Sequence, residues 1–311
     1  MKGFFMITNQ VTTIIDAEKC IGCGLCITVC PSKTLSLSND KAVVTGDESI
    51  QCGHCAAICP QEAITVGALD PTLICTTFEE DKKWLNFGEM DIQQLVRLMR
   101  SRRSCRNYSD KSVPKDVIDD LIKIGISAPS GSNSQGWTFT VLPDETTLMS
   151  FAQKVLGYFK GLNRMAESFP LRFLSYFFAK DELGKYFRNY YQRVKEGIDE
   201  YEQNGTDRLF HGAKAAILIG GKKNISFSPQ DDALLVSQNI LLAAHAMGLG
   251  TCLIGFAVEA MKRDSSIKKY VNIPEDEKIY AVIGIGYPKE KYQTVTGRKP
   301  VDIRYVETKS E

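Results

Sequence analysis

Residues 20–31 read Cys20-Ile21-Gly22-Cys23-Gly24-Leu25-Cys26-Ile27-Thr28-Val29-Cys30-Pro31, the pattern CxxCxxCxxxCP without a deviation. Three thiolates three residues apart can grip successive corners of an iron–sulfur cubane. Glycines between them let the backbone close on the sulfides, and the fourth cysteine points away toward another cluster. Zinc would call for four ligands in two separated pairs. A shift of 29 residues carries Cys23, Cys26, Cys30 and Pro31 onto Cys52, Cys55, Cys59 and Pro60, Gly24 onto Gly53, and Ile21 onto Ile50. This is an internal duplication. Leu35 and Leu37 fall on Ile64 and Val66, in alternating stretches that predict a short strand after each loop.

The remaining composition narrows the choices. A net charge of +1 with 24% charged residues gives no global field toward nucleic acid or an anionic membrane. With 311 residues there is room for a second, larger domain with its own core. The opening MKGFFMITNQ turns polar too soon for a secretory signal, and no apolar run is long enough to span a bilayer, so a cytoplasmic protein without membrane contact is expected. Seven of the ten cysteines lie between Cys20 and Cys59. Cys75, Cys105 and Cys252 stand apart and read as small buried hydrophobes.

Residues 12–68 resemble a bacterial-type two-[4Fe-4S] ferredoxin. In that family each cluster takes three cysteines from one motif and the fourth from the other, which implies Cys20, Cys23, Cys26 and Cys59 around the first cluster. The second would use Cys52, Cys55, Cys30 and the residue 29 beyond Cys20, which is Ser49. Four options follow: an iron ligated by Ser49, an iron with a small-molecule ligand, a [3Fe-4S] cluster, or recruitment of Cys75. An intact cubane is the preferred reading. Under any of them the potential should differ from that of an all-cysteine cluster. His54, inside the same loop, is given a surface or supporting role.

Residues 69–90 carry a proline, a run of mixed charge and no sustained periodicity, and read as a linker packed on the domain that follows. The division expected is a ferredoxin domain over 1–68, the linker over 69–90 and a second domain over 91–311. From Asp91, Ile92, Leu95, Val96 and Met99 mark a helix face with arginines at its end. Pro114 suits a helix start, and Val117, Ile118, Leu121 and Ile122 supply the buried face of a second helix. After Ala128-Pro129-Ser130-Gly131-Ser132-Asn133-Ser134-Gln135, residues Trp137 to Leu142 alternate as a strand.

The run Arg102-Arg103-Ser104-Cys105-Arg106 and the turn APSGSNSQGW resemble the nitroreductase family of FMN enzymes. So do Asp232 to Ile254 with Gly255, the strand Tyr280 to Pro288, and Gly297-Arg298-Lys299-Pro300, five matches in the family's order across residues 92–305. The resemblance implies an α+β sheet-and-helix FMN domain behind the ferredoxin module. It assigns Arg102, Arg103, Ser104 and Arg106 to the first flavin-binding element, where guanidinium groups hold phosphate, and Arg298 to a late phosphate contact. Pro129, Ser130, Gly131, Asn133 and Gln135 would serve the ribityl chain and ring edge, and Leu253, Ile254 and Gly255 would present backbone to the reactive edge. In the family the turn serves a flavin at a dimer interface, so a homodimer with shared sites is implied. No side-chain nucleophile is required. His211 and His245 read as packing residues. The aromatic-rich helical stretch between Leu148 and Tyr201 reads as a layer wrapping the partner in preference to a lid.

Together these parts predict an oxidoreductase that passes electrons between [4Fe-4S] clusters and FMN to reduce a small organic acceptor such as a nitroaromatic or quinone. The donor would be a free ferredoxin or NAD(P)H; the lack of GxGxxG leaves both open, since nitroreductase-like enzymes stack nicotinamide directly over the flavin. Two alternatives remain: an FMN-dependent dehydrogenase draining electrons from a metabolite through the clusters, and a non-catalytic redox carrier or sensor.

Overall fold

The computed structural model describes residues 10–71, 74–81, 83–222 and 225–306, so most of the N-terminal apolar patch lies outside the described residues. The duplication is visible in the backbone. Helices α1 (Leu25–Thr28) and α2 (His54–Ala57) each follow a left-handed glycine, Gly24 at φ 74° and Gly53 at φ 75°. Two further pairs 29 residues apart, Gly22 with Gln51 and Lys33 with Glu62, also have positive φ. Gln51 and Glu62 hold a conformation that side chains disfavour, which marks a geometry the cysteine loops impose. Strand β1 (Thr13–Ile15) pairs antiparallel with β4 (Ile64–Val66), and β2 (Leu35–Ser38) with β3 (Lys41–Val44). Asn39 and Asp40, both at positive φ, close the second pair as a two-residue hairpin.

The larger unit is built on an antiparallel sheet ordered β5 (Trp137–Leu142), β6 (Ala215–Lys222), β8 (Glu277–Gly286), β7 (Gly250–Leu253). Side chains of β6 alternate between two cores. Ala216 and Leu218 face the helices α5 (Glu145–Glu167), α8 (Gln192–Asn204), α10 (Gly255–Arg263) and α11 (Ser265–Tyr270), whereas Ala215, Ile217 and Ile219 face α4 (Lys115–Gly125) and α9 (Pro229–Ala246). Strands β6 and β8 are near-continuous apolar runs and are buried on both faces, and as the helical pattern predicts, Ile118 and Leu121 of α4 are fully covered. The fold is α+β with helices on each side of the sheet.

Two helices depart from burial. In α3 (Ile92–Ser101), capped by the Asp91 carboxylate accepting from Gln93 N–H at 2.9 Å, no residue is buried, and the expected face of Ile92, Val96 and Met99 is exposed. Helix α6 (Phe169–Phe178), apolar except at Arg172 and Ser175, also buries nothing; the aromatic stretch continues through α7 (Glu182–Tyr186) and a π-helical turn at Phe187–Tyr191. No helix among the described residues is long and apolar enough to cross a membrane.

No strand or helix occurs among the described residues between Val66 and Ile92, yet this segment is tied down firmly. The buried Asp120 carboxylate on α4 accepts from the N–H groups of Thr76 and Thr77 at 2.7–3.0 Å and from both hydroxyls, and pairs with Lys123 at 3.0 Å. Lys123 also donates to Ile74 O at 2.7 Å. Burial opposes the charge on Asp120, but donation from Thr77, Lys123 and Thr76 outweighs it and holds the carboxyl well below the usual range. Asp120→Ala should therefore cost about 3 kcal/mol in urea unfolding at neutral pH, because the donors lose a buried partner. The folded pKa lies below the unfolded one, so this stabilisation is complete above about pH 4 and is lost as the pH falls from there toward the depressed value. The gap between wild type and variant should narrow in that acid window and nowhere above it.

Candidate functional site

Cys20, Cys23, Cys26 and Cys59 line one hollow of about 340 Å³ with Ala42, Ala63 and Ile64. Burial pushes the Cys26 thiol up, and the sulfurs of Cys20, Cys23 and Cys59 lie close enough to add to that shift. Main-chain N–H groups point at the ring of sulfurs: Ala42 donates to Cys20 Sγ at 3.4 Å and Ala63 to Cys59 Sγ at 3.3 Å. Donation from Ala42 and Gly22, with the charge of Lys41, pulls the Cys20 thiol down. Among the described residues no three His, Cys, Asp or Glu side chains converge on a single point that would hold one metal ion. The thiols surround a volume, which suits a polynuclear cluster and not a lone zinc.

A second hollow of about 330 Å³ is lined by Cys30, Cys52 and Cys55 with Ser49, Gln51, Gly53 and His54. Burial raises the Cys55 thiol, with Cys52 and Cys30 adding repulsion. At Cys30 burial is outweighed by donors from Thr34, Ser32 and Lys33, so that thiol is pulled down. Ser49 takes the position that Cys20 holds in the other repeat, and its Oγ accepts from Gln51 N–H at 3.0 Å. His54 is exposed, with Nδ1 2.7 Å from Cys52 Sγ, a supporting contact. Cys75 does not line this hollow. It is buried beside the Asp120 anchor, where burial and Glu80 push its thiol up to about 12.

The arginine run lies along the outer edge of β7. Ser104 bridges Thr251 in parallel and Cys105 N–H donates to Thr251 O at 2.9 Å. This close approach needs Gly250, where an added Cβ would sit 2.7 Å from that of Cys105. Cys105 and Cys252 are buried beneath the run, as small hydrophobes should be. Burial raises the Cys252 thiol, while Arg106, Ser104 and Arg102 draw it the other way. Among the described residues neither Arg102 nor Arg106 forms an ion pair, so the positive charge is left for an anion. Arg103 instead donates to Thr296 and so ties down the tail that carries the exposed Arg298. His211 and His245 are half-buried; burial lowers both, with Arg106 contributing at His211 and Arg102 at His245.

Leu253 ends β7 and Gly255 opens α10. Ile254 N–H already donates to Val282 O at 2.8 Å, which leaves the Gly255 end of this loop for an external acceptor.

The polar turn is held by a residue that the motif reading quoted only as the start of a helical match. Asp232, buried in the first turn of α9, accepts from Gly131 N–H at 2.9 Å and from the hydroxyls of Ser134 and Ser226. Ser132, Asn133 and Gln135 all have positive φ, a concentration of strain typical of a functional turn. Ser130 Oγ accepts from Gln135 N–H at 3.0 Å. The Asn133 amide donates to Ile50 O at 3.0 Å and Gln51 O at 3.1 Å, and its oxygen accepts from Gln135 Nε2 at 3.2 Å. The residue next to Gln51 is Cys52, so the turn touches the second cysteine loop. Trp137 Nε1, just beyond the turn, is buried without a partner among the described residues.

The turn and the arginine run do not meet within one chain. The turn leads into β5 and the run flanks β7, the opposite edges of the sheet, with about 14 Å and two strands between them. Each holds only part of the residues assigned to a flavin.

Residues 99–287 match the nitroreductase family and residues 12–60 the 4Fe-4S dicluster domain. A 4-nitrobenzoate reductase from Nocardioides sp. is 25% identical over 229 residues, spanning 68% of this chain and 88% of the relative. An iodotyrosine deiodinase from Thermotoga neapolitana is 24% identical over 217 residues, spanning 69% and 98%. A solved nitroreductase with bound FMN from Bacteroides fragilis aligns with TM-score 0.52 at 20% identity, covering 69% of this chain and 99% of that one, a likeness of fold.

Ser49→Cys should leave the iron content unchanged and shift the midpoint potential of one cluster only, read by anaerobic potentiometric EPR. Movement of both potentials, or of neither, would separate Ser49 from the second hollow.

Proposed function

Since this chain belongs to the nitroreductase family and carries a 4Fe-4S dicluster domain, we propose that it is a wired FMN oxidoreductase. Electrons pass between the iron–sulfur module and the flavin, and a small organic acceptor, a nitroaromatic or a quinone, takes them up. The observation that carries this reading is the pair of hydrogen bonds from Asn133 to Ile50 and Gln51, which joins the turn assigned to flavin to the loop of Cys52. The 4-nitrobenzoate reductase among the relatives supports the acceptor class.

When bound, FMN stores two electrons and releases them singly or as hydride, while the clusters pass one at a time. The protein's part is to hold and orient. Arg102 and Arg106 clasp the phosphate, Ser104 adds a hydroxyl donor, and the Arg103–Thr296 bond brings the segment of Arg298 to the same region. Gly255 N–H serves the reactive edge of the ring, because the Ile254 N–H is already engaged. Ser130, Gly131 and Gln135 face the ribityl chain and ring from a turn that Asp232 keeps rigid. Cys20, Cys23, Cys26 and Cys59 hold one cubane; Cys30, Cys52, Cys55 and the Ser49 oxygen hold the other.

The two half-sites at opposite sheet edges make the working unit a homodimer. The uncovered Ile92, Val96 and Met99 of α3 and Leu234 and Leu235 of α9 supply apolar surface for it. Thiolate-ligated clusters need reduced cysteines, which fits a cytoplasmic setting. The donor is reduced ferredoxin, reaching the exposed Cys23 loop, or NAD(P)H.

Under anaerobic conditions, reduced ferredoxin should bleach the bound flavin faster than it bleaches free FMN and should support turnover of 4-nitrobenzoate. Equal rates on bound and free flavin, alongside rapid reduction by NAD(P)H, would sink the wired reading.

A further inference from the structure

Helix α9 measures the distance between the two half-sites. Asp232 near its start holds the turn, whereas α3, whose C-terminal cap is Arg102, also packs on α9, and the charge of Arg102 reaches His245 near the end of α9, about 20 Å further along the axis. The strands give a matching result. Trp137 pairs with Gly221 and through it with Lys278, whereas Leu253 pairs with Ile283 and through it with Ile217 and Val141. The turn and the Leu253 end are therefore offset by about 13 Å along the strands as well as about 14 Å across them. A flavin held by both half-sites takes its phosphate contacts and the Gly255 end of β7 from one chain and the contacts of the Ser130–Gln135 turn from a second. The iron–sulfur module, however, belongs with the turn: Asn133 binds it in the same chain. Of the two hollows, the one beside Gln51 and Cys52 adjoins the turn, and the other opens on solvent through the exposed Cys23.

From this arrangement we infer that the wiring crosses the dimer: the cluster held by Cys30, Cys52 and Cys55 of one chain is the last station before the flavin whose phosphate is held by a second copy's Arg102, Ser104 and Arg106, with Asn133 as the positioning residue between them. The inference rests on the wired reading above and adds its order and its chain assignment. A low-potential one-electron donor, oxidised in the process, reduces the first cluster; the electron moves to the second, reoxidising the first, and then to the flavin, reoxidising the second. Two such passages, with protons from solvent, fully reduce the flavin, and a two-electron organic acceptor reoxidises it.

Mixed dimers of the cluster-loaded, FMN-loaded enzyme, purified through two different tags, separate the alternatives. The probe is methyl viologen radical, and the readout is the fast, cluster-dependent phase of flavin bleaching. Pairing an Arg106→Glu chain with a Cys55→Ala chain should restore about half of the wild-type amplitude, one wired site of two, although neither homodimer shows the phase. Pairing a chain carrying both substitutions with a wild-type chain should abolish it, because the only intact phosphate site faces the defective module. The reverse pattern, silence in the first pair and activity in the second, would place module and phosphate site in one chain and overturn the inference.

If the Cys55→Ala chain also loses the iron of its first cluster, Asn133→Leu takes its place. That variant should retain both clusters and slow the phase by at least about ten-fold, since small losses of position are costly, with the same dependence on pairing. Unchanged rates with Asn133→Leu would remove Asn133 from the relay. Equal bleaching of wild-type and Cys55→Ala homodimers would instead defeat the wired reading itself, an outcome distinct from the reversed pairing.

Discussion

The Asn133 side chain gives both of its amide hydrogens to the carbonyls of Ile50 and Gln51, and through that pair of bonds a cysteine loop is held against a polar turn. Without it the chain would be two redox units sharing a backbone. The turn can bear this load because Asp232 fixes its other side, engaging Gly131, Ser134 and Ser226 from the first turn of α9. Three non-glycine residues at positive φ, each costing about 1–3 kcal/mol, are kept in place by that network. A second mooring, Asp120 on α4, holds Thr76 and Thr77 in the segment that follows the module. The two anchors sit on α4 and α9, which pack against each other on one face of the sheet.

On the far edge of the sheet the constraint is electrostatic. Gly250 lets the Cys105 backbone lie close along β7, and the run that carries Arg102 and Arg106 follows this edge, neither arginine forming an ion pair among the described residues. Like charges held together in this way favour an anion, and a phosphate satisfies them bidentately. Burial lowers both His211 and His245, with a smaller contribution from Arg106 at the first and Arg102 at the second. The anion edge and the turn are separated by the whole width of the sheet, and this separation is what motivates the proposed pairing of two chains around a flavin.

Much of this was legible from the residues, and the parts that were not have a common cause. Cysteine spacing could be read because cluster geometry dictates it locally, and the 29-residue repeat extended even to left-handed positions such as Gln51 and Glu62. The buried face of α4 and the strand β5 follow from periodicity. Asp120, Asp232 and the Thr296 partner of Arg103 were missed, since each acts across a long sequence separation and none belongs to a periodic pattern. Asn133, assigned to flavin, also donates its amide to the module, a contact no local signal announces. The apolar face of α3 was read correctly as a face, but periodicity could not say that it would remain uncovered within one chain. Ser49 was recognised as the departure it is, and its hydroxyl lines the second hollow while Cys75 is held elsewhere.

The most direct test of the wired arrangement is the order of the flavin-bleaching step when the anaerobic, cluster-loaded enzyme is mixed rapidly with increasing concentrations of methyl viologen radical. The account predicts that cluster bleaching accelerates with donor concentration, and that flavin bleaching follows at a rate that becomes independent of it, as transfer within the protein requires. Flavin bleaching that rises in proportion to donor concentration throughout, with no lag behind the clusters, would contradict it.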